Sequence, residues 1–188
     1  DRLFYQQGYE HTSFADIAGA VQLSRGNFYY HFKTKDEILA AVIDLRLANT
    51  QGILDRWEAE EESPAERLRS FIDILVANRA KIMQYGCPVG TLCNELAKLD
   101  HGAEAGAVRI FTLFRDWLGR QFALLGRRKD ADALALHLLA RSQGVATRSP
   151  TRTACSISAS ASSRGFIRRE VHQLRAWLDA QHHTDHAQ

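Results

Sequence analysis

One short stretch of the chain combines hydrogen-bond donors at helical spacing with an absence of acids. Between residues 25 and 31 the side chains that share a predicted helix face include a guanidinium, an amide, two phenols and an imidazole, and no carboxylate. A solvated helix face usually mixes acids and bases, so this face suits a polyanion. Arginine pairs bidentately with guanine and asparagine with adenine, and a glycine allows close approach to a groove. The candidates for base contacts are Arg25, Gly26, Asn27 and Tyr30.

A second set of residues could bind phosphate oxygens. Hydroxyl groups and backbone N–H groups at helix N-termini bind phosphates, as do phenols, imidazoles and ammonium groups. For two of them a structural role is the alternative: His31 could pack against the first helix, and Tyr29 could be a core residue with its hydroxyl at the rim. The candidates for phosphate contacts are Thr12, Ser13, Ser24, Tyr29, His31 and Lys35.

Two short helices joined by a tight turn are predicted to position these residues. Ser13 can cap the first helix, with Asp16 at the reciprocal position of a capping box. The turn is expected near Gln22 and Leu23, and Ser24 can cap the second helix, whose apolar residues include Phe28. A helix-turn-helix places its second helix in the DNA major groove.

The stretch resembles the TetR family of transcriptional regulators. The resemblance is carried by GY at 8–9, TS at 12–13, DIA at 16–18 and SRGNFYYHF at 24–32, followed by Lys35. It implies phosphate contacts from Tyr29 and Lys35, and dimerisation through the last two long helices. It also implies that the first helix starts upstream of the sequence's first residues, DRLFYQQGY.

Composition limits the other classes of protein. The net charge is only +2, but the residues from Ile17 to Lys35 include three cations and no acid. No apolar run approaches the roughly 20 residues of a membrane span. Three irregularly spaced cysteines favour neither a disulfide framework nor a zinc finger, which indicates a reducing cytoplasm. No nucleophile elbow, phosphate-binding glycine loop or metal-binding helix is present, so we expect no enzyme activity and no cofactor.

The remainder of the sequence favours helices, so the predicted fold is all-α. A three-helix DNA-binding domain is expected over residues 1–46, and a helical effector-binding and dimerisation domain over residues 47–188. A helix over 35–54 is expected to connect the two domains. Further helices are expected at 64–84, 103–125, 130–144 and 166–181, with a short helix within 86–100. Ser63 and Glu66 form a second capping box, with a proline in the first turn.

The second domain contains apolar and aromatic side chains that could line an effector pocket. Each of them could equally belong to an ordinary core. The cysteine, beside a glycine and a proline, could be reactive or simply inert. The predicted pocket residues are Trp57, Phe71, Leu75, Met83, Cys87, Phe111, Phe114, Trp117 and His137. His137 is also expected to be a core residue.

Two segments fit the helical pattern poorly. Residues 147–165, TRSPTRTACSISASASSRG, have no helical periodicity and predict a flexible linker. A mobile loop, a locally altered reading frame and a modified dimer edge are the competing explanations. The tail at 182–186, HHTDH, could bind adventitious metal, although a frayed terminus explains it as well.

The resemblance and the residues together predict a cytoplasmic homodimer that binds double-stranded operator DNA. Its function would be that of a repressor released by a small-molecule effector, with no membrane partner. The alternative is a small-molecule carrier or interaction protein of the same fold without specific DNA binding.

Overall fold

A computed structural model of the chain describes residues 1–22, 25–147 and 159–183. Within these ranges the chain forms helices and no strands, which confirms the all-α prediction. The helices are α1 (Arg2–Gln7), α2 (Phe14–Ala20), α3 (Arg25–His31), α4 (Lys35–Glu60), α5 (Pro64–Ala77), α6 (Arg79–Tyr85), α7 (Pro88–Lys98), α8 (Glu104–Leu124), α9 (Ala131–Thr147) and α10 (Ala159–His183).

The helices are divided between two compact units. The first unit comprises residues 1–51 and 88–111, and the second comprises 52–87 together with the described part of 112–188. The predicted boundary at residue 46 divides the chain differently, because α7 and the first turns of α8 belong to the first unit.

The first unit has one apolar core, to which distant parts of the sequence contribute. Phe4 from α1, Leu39 from α4 and Leu96 from α7 are all buried in it, and Ala107 from α8 is fully buried beside them. The partly buried ring of Phe32 packs against the same core. The short helices α1 to α3 are therefore stabilised by tertiary packing, since isolated helices of this length are marginal.

The second unit is organised by the packing of α5 with α10. Leu68 and Ile72 of α5 are fully buried, as is Leu174 of α10. At the exposed edge of this contact Arg69 donates to Asp179 at 2.7 Å. Apolar burial provides most of the stabilisation here, because exposed ion pairs contribute little.

Several predicted helix boundaries were wrong. Helix α4 continues to Glu60 rather than ending at residue 54, and nothing in its last two turns is a strong helix breaker. The helix predicted from 64 to 84 is interrupted at Asn78, whose side-chain amide donates to the carbonyl of Ile74 at 3.0 Å. The same carbonyl also accepts the backbone N–H of Asn78 at 3.0 Å. Asparagine favours such local bonds between side chain and backbone and is disfavoured inside helices.

The predicted linker is shorter than expected. Helix α9 reaches Thr147, and α10 starts at Ala159 rather than at 166, so residues 159–165 are helical. Alanine and serine tolerate a helix, and no proline occurs in these seven residues. Residues 148–158 lie outside the described residues, as do 184–188 of the histidine-rich tail.

Both predicted capping boxes are confirmed. The hydroxyl of Ser13 accepts a hydrogen bond from the N–H of Asp16 at 3.1 Å, and the Asp16 carboxylate accepts from the N–H of Ser13 at 2.8 Å. Ser63 and Glu66 make the same reciprocal pair at the start of α5. Because these contacts join residues three apart, local sequence alone defines them.

Gly8 ends α1 in a backbone conformation that is open almost exclusively to glycine. Its φ is 88° and its ψ is 162°, and its N–H donates to the carbonyl of Phe4 at 3.1 Å. A Cβ atom here would lie 2.8 Å from Oε1 of Glu95 on α7.

Replacing Gly8 by alanine is expected to lower the free energy of unfolding by about 1–3 kcal/mol, because the side chain strains this conformation. Urea unfolding of G8A would measure it. The matched control is G52A, in the interior of α4, where an added Cβ meets no atom within 4 Å. That change should instead stabilise the protein by about 0.5–1 kcal/mol. Equal stability of G8A and the unmodified chain would contradict the prediction.

Candidate nucleic-acid interface

Helix α3 presents aromatic and polar groups to solvent. Tyr30 is 77% exposed and Tyr29 is 49% exposed. The Tyr30 ring meets the exposed imidazole of His31 edge-on, with centroids 5.3 Å apart. The exposure of His31 argues against the alternative that it packs in the core. An exposed aromatic face with hydrogen-bonding edges can contact sugar, phosphate and base groups.

The ring of Tyr29 is fixed while its exposed surface stays available. It stacks on Phe14 of α2, with centroids 4.6 Å apart and planes inclined by 19°. The two helices of the helix-turn-helix therefore share an aromatic contact. This contact limits the directions in which the Tyr29 hydroxyl can point.

Other predicted contact residues of α3 are described only in part. Gly26 is exposed, and an added Cβ would meet nothing within 4 Å, so the backbone is open to close approach. Arg25 and Asn27 lie within the helix, but their side chains are outside the described part. Ser24 is outside the described residues altogether. Base contacts by Arg25 and Asn27, and a phosphate contact by Ser24, remain predictions.

The two hydroxyl residues before α2 have different roles. Ser13 is exposed at the N-terminus of α2, where its hydroxyl also donates to Asp16 at 2.6 Å. Thr12 is fully buried: its hydroxyl donates to the carbonyl of Gly8 at 2.6 Å and its N–H to that of Tyr9. This placement contradicts the prediction that Thr12 binds phosphate. Both of its donors are used to build the turn between α1 and α2.

Lys35 is anchored beside the same turn. Its ammonium group donates to the carbonyl of Tyr9 at 3.0 Å and lies 4.1 Å from the centroid of the Tyr9 ring. An ammonium group has three N–H donors, so one such bond leaves others for a phosphate. Lys33 is exposed and donates to the carbonyl of Tyr29 at 2.7 Å. Two cations therefore lie next to the turn and to α3.

A hydrogen-bonded cluster at Tyr9 supports this surface. The buried Tyr9 hydroxyl donates to the Asp36 carboxylate. The Nδ1 of His101 accepts from the N–H of Ala103, so its Nε2 carries the proton that faces the Tyr9 hydroxyl at 3.2 Å. Burial and then the hydrogen bond to Asp36 raise the pKa of Tyr9, and the Tyr9 hydroxyl lowers the pKa of Asp36.

The contribution of α7 to this surface was not predicted. The carboxylate of Glu95 accepts the N–H groups of Tyr9 and Glu10 at 2.8 and 2.9 Å. Glu95 and His101 gave no signal in the sequence because their partners lie about 90 residues away. Gly8 and Tyr9 belong to the family motif, which does not indicate what they contact.

The predicted pocket residues are distributed unevenly between the two units. In the second unit Trp57 and the fully buried Trp117 form an aromatic pair, with centroids 5.6 Å apart. Phe71 and Phe114 form another at 5.5 Å, and Leu75 is buried. Met83 and Cys87 are partly buried in the same unit.

Two of the predicted pocket residues do not fit the prediction. Phe111 belongs to the first unit rather than the second. His137 is exposed, 4.8 Å from the Trp177 ring, so the prediction that it is a core residue was wrong. Its neighbours on α9 at 135 and 138 take the buried positions.

The second unit has a groove of about 360 Å³ between α4 and α5. Of the predicted pocket residues, Trp57 lines this groove. The indole N–H of Trp117 is buried and has no hydrogen-bond partner among the described residues. A buried donor without an acceptor costs stability, so it requires an explanation.

The geometry defines a class of protein: an all-helical protein with a helix-turn-helix whose second helix is open to a nucleic acid. Residues 1–42 match the family model for bacterial regulatory proteins of the tetR family. This N-terminal segment of the chain is therefore that of a TetR-type regulator.

Relatives and solved structures agree with this assignment. The chain is 36% identical to an HTH-type transcriptional regulator from Lactococcus lactis subsp. lactis over 118 residues, which cover 60% of this chain and 58% of that protein. It is 25% identical to the transcriptional repressor DhaR of Mycobacterium sp. (strain GP1), covering 78% of this chain and 76% of DhaR.

The fold matches that of a TetR transcriptional regulator from Legionella pneumophila. The TM-score is 0.74 at 21% identity, covering 95% of this chain and 90% of that one.

Two kinds of feature are absent from the described residues. No helix there combines the length and hydropathy required to cross a bilayer. No group of three or more histidine, cysteine or acidic side chains there is arranged to hold a metal ion.

Replacing Tyr9 by phenylalanine is expected to lower the free energy of unfolding at pH 7 by about 0.5–1.5 kcal/mol, the typical net value of a hydrogen bond. Asp36 has a lowered pKa in the folded state, so its contribution is present above the ordinary aspartate pKa. The contribution is lost as the pH falls through the lowered value. The difference between Y9F and the unmodified chain should therefore shrink in acid.

Urea unfolding over a pH series would measure this difference. Y30F is the control, since the Tyr30 side chain is exposed and should have little effect on stability at any pH. A difference for Y9F that stays constant into strong acid would contradict the coupling to Asp36.

Proposed function

We propose that the protein binds operator DNA as a homodimer and represses transcription until a small-molecule effector releases it. The observation that carries the proposal is the solvent-exposed face of α3, where Tyr29, Tyr30 and His31 present hydrogen-bonding groups. The match of residues 1–42 to a family of bacterial regulatory proteins supports it. The name of DhaR supports repression rather than activation.

DNA reading is divided between two kinds of contact. Tyr29, Ser13 and Lys35 bind the phosphate backbone and fix the register of the protein. Arg25, Asn27 and Tyr30 face base edges, where arginine and asparagine discriminate guanine and adenine. Gly26 allows α3 to approach the groove closely. The low net charge of the chain is compatible with this, because phosphate binding depends on local cations.

A homodimer would place two α3 helices in successive major grooves, about 34–36 Å apart. The long helices α9 and α10 are the proposed dimerisation helices, by analogy with the family. The exposed Leu136 of α9 supports this proposal. Effector binding would favour a conformation with a different separation of the two α3 helices, which requires different effector affinities for the two conformations.

The effector is proposed to bind in the second unit, near the aromatic pair of Trp57 and Trp117. The unpaired indole N–H of Trp117 favours an effector that carries a hydrogen-bond acceptor. The proposed pocket also includes Phe71, Phe114 and Leu75.

The second candidate function is a small-molecule carrier of the same fold. The aromatic side chains of the second unit favour it independently of DNA. A mobility-shift titration with the DNA upstream of the protein's own coding sequence separates the two, with a shuffled competitor and a salt series. The regulator predicts a discrete complex that resists the competitor and contains two chains. Absence of any such complex, with folded protein and with duplexes enriched from a random pool, would favour the carrier.

Three variants test the assigned contacts. Y29F and K35A should weaken binding to operator and random DNA alike. K35A should also reduce the slope of log affinity against log salt by about 0.9, because one phosphate is no longer neutralised by a cation. N27A should instead change the preferred base at one position. Equal weakening on all sequences by all three variants would contradict the assigned roles.

Two features of the chain make these variants interpretable. Y29F keeps the ring that stacks on Phe14, so it removes the hydroxyl without disturbing the contact between α2 and α3. K129A is the control for K35A, because it removes a cation from the second unit and should leave the salt dependence of DNA binding unchanged.

Replacing Trp117 by phenylalanine tests the effector site. The ring is kept and the N–H is removed, so an effector that accepts this hydrogen bond should bind about tenfold more weakly, as the net value of one hydrogen bond predicts. Effectors would be found by their effect on thermal unfolding and measured by release of DNA. W177F is the control, and DNA affinity without effector should not change. Identical effector affinity in W117F and the unmodified chain would contradict the assignment.

A further inference from the structure

We propose that Glu95 is a positioning residue for DNA reading, although it lies on α7, well beyond the matched residues 1–42. It would touch no DNA and would act through the turn between α1 and α2. Because it concerns DNA reading, this role rests on the proposed function.

The Glu95 carboxylate holds two consecutive backbone amides. Its Oε2 accepts the N–H of Tyr9 at 2.8 Å, and its Oε1 accepts the N–H of Glu10 at 2.9 Å. These amides lie just beyond the last helical hydrogen bond of α1, which joins the N–H of Gly8 to the carbonyl of Phe4. A hydrogen bond to a charged acceptor is stronger than one to a neutral acceptor. One side chain of α7 therefore holds the start of the turn in place.

The backbone at the turn is adapted to this carboxylate. Gly8 adopts a φ of 88°, and a Cβ atom there would lie 2.8 Å from Oε1 of Glu95. Glycine thus allows the carboxylate to approach the chain closely. Two features therefore fit the same position of the Glu95 carboxylate: its hydrogen bonds to two backbone amides, and the absence of a side chain at Gly8.

The turn held by Glu95 supports several of the proposed DNA contacts. The carbonyl of Tyr9 accepts the ammonium group of Lys35 at 3.0 Å. The carbonyl of Gly8 accepts the hydroxyl of the buried Thr12 at 2.6 Å, directly before the capping residue Ser13. A shift of the turn would therefore move both Lys35 and the N-terminus of α2, which are proposed to bind phosphates.

The loss of the Glu95 charge and the loss of its positioning role would change the affinity for DNA in opposite directions. The variant E95Q removes a negative charge, and on charge alone that change would strengthen binding to DNA. An amide has one oxygen and an NH2 group, so glutamine cannot accept both backbone N–H groups through two oxygens. Loss of positioning would weaken binding. The sign of the change therefore separates the two effects.

The experiment compares E95Q with the unmodified full chain, using the duplex that the unmodified chain enriches from a random pool. Affinity should fall about ten- to hundredfold, as expected for loss of hydrogen bonds to a charged acceptor. The control D100N removes a carboxylate from the same unit and should bind as tightly or slightly more tightly. Asp100 has a φ of 49°, which asparagine tolerates.

Amide hydrogen exchange is the second readout. Positioning predicts faster exchange in E95Q at Tyr9, Glu10 and the rest of 8–13, with the core amides of α4 and α7 unchanged. A merely structural role would instead speed exchange throughout the first unit. It would also weaken DNA binding only in proportion to the unfolded fraction. If E95Q is unfolded by circular dichroism, E95D decides, because it keeps the charge but cannot reach both amides equally.

The outcomes separate this role from the function on which it rests. If the unmodified chain binds DNA specifically and folded E95Q or E95D binds equally well, the positioning role is overturned and the DNA-binding function stands. If the unmodified chain enriches no duplex, the proposed function fails and the positioning role fails with it. Weaker binding of E95Q, with faster exchange confined to the turn, supports the role.

Discussion

The backbone N–H groups of Tyr9 and Glu10, which lie just beyond the last helical hydrogen bond of α1, impose the main constraint on the first unit. They are paired by the Glu95 carboxylate, and this contact requires α7 to pack beside the turn. The apolar core also joins α7 to the N-terminal helices. Leu96 of α7 and Ala107 of α8 are fully buried in it with residues of α1 and α4. The surface proposed to read DNA therefore depends on residues more than forty positions beyond the helix-turn-helix.

The sequence predicted those features whose causes are local. The capping boxes at Ser13 and Ser63 join residues three apart, so their partners are visible in the sequence. The all-helical fold follows from periodicity over each segment. The exposed donors of α3 were likewise found from residue type and spacing. Such features depend little on tertiary structure.

The sequence could not predict features that depend on tertiary neighbours. Thr12 and Ser13 are adjacent hydroxyl residues, yet one is fully buried and the other is exposed. The bond between Glu95 and Tyr9 spans 86 positions and has no local pattern. The helix end at Asn78, by contrast, has a local signal in the sequence. Asparagine tends to bond to a nearby backbone carbonyl, here that of Ile74, and is therefore a poor residue for a helix interior.

Hydrogen exchange of the unmodified full chain, free and bound to the duplex that it selects, tests the central claim most directly. The account predicts slower exchange on binding at the turn of residues 8–13 and across residues 25–35, because these segments would form and support the DNA-reading surface. Unchanged exchange in both segments, with any protection confined to the second unit, would contradict it.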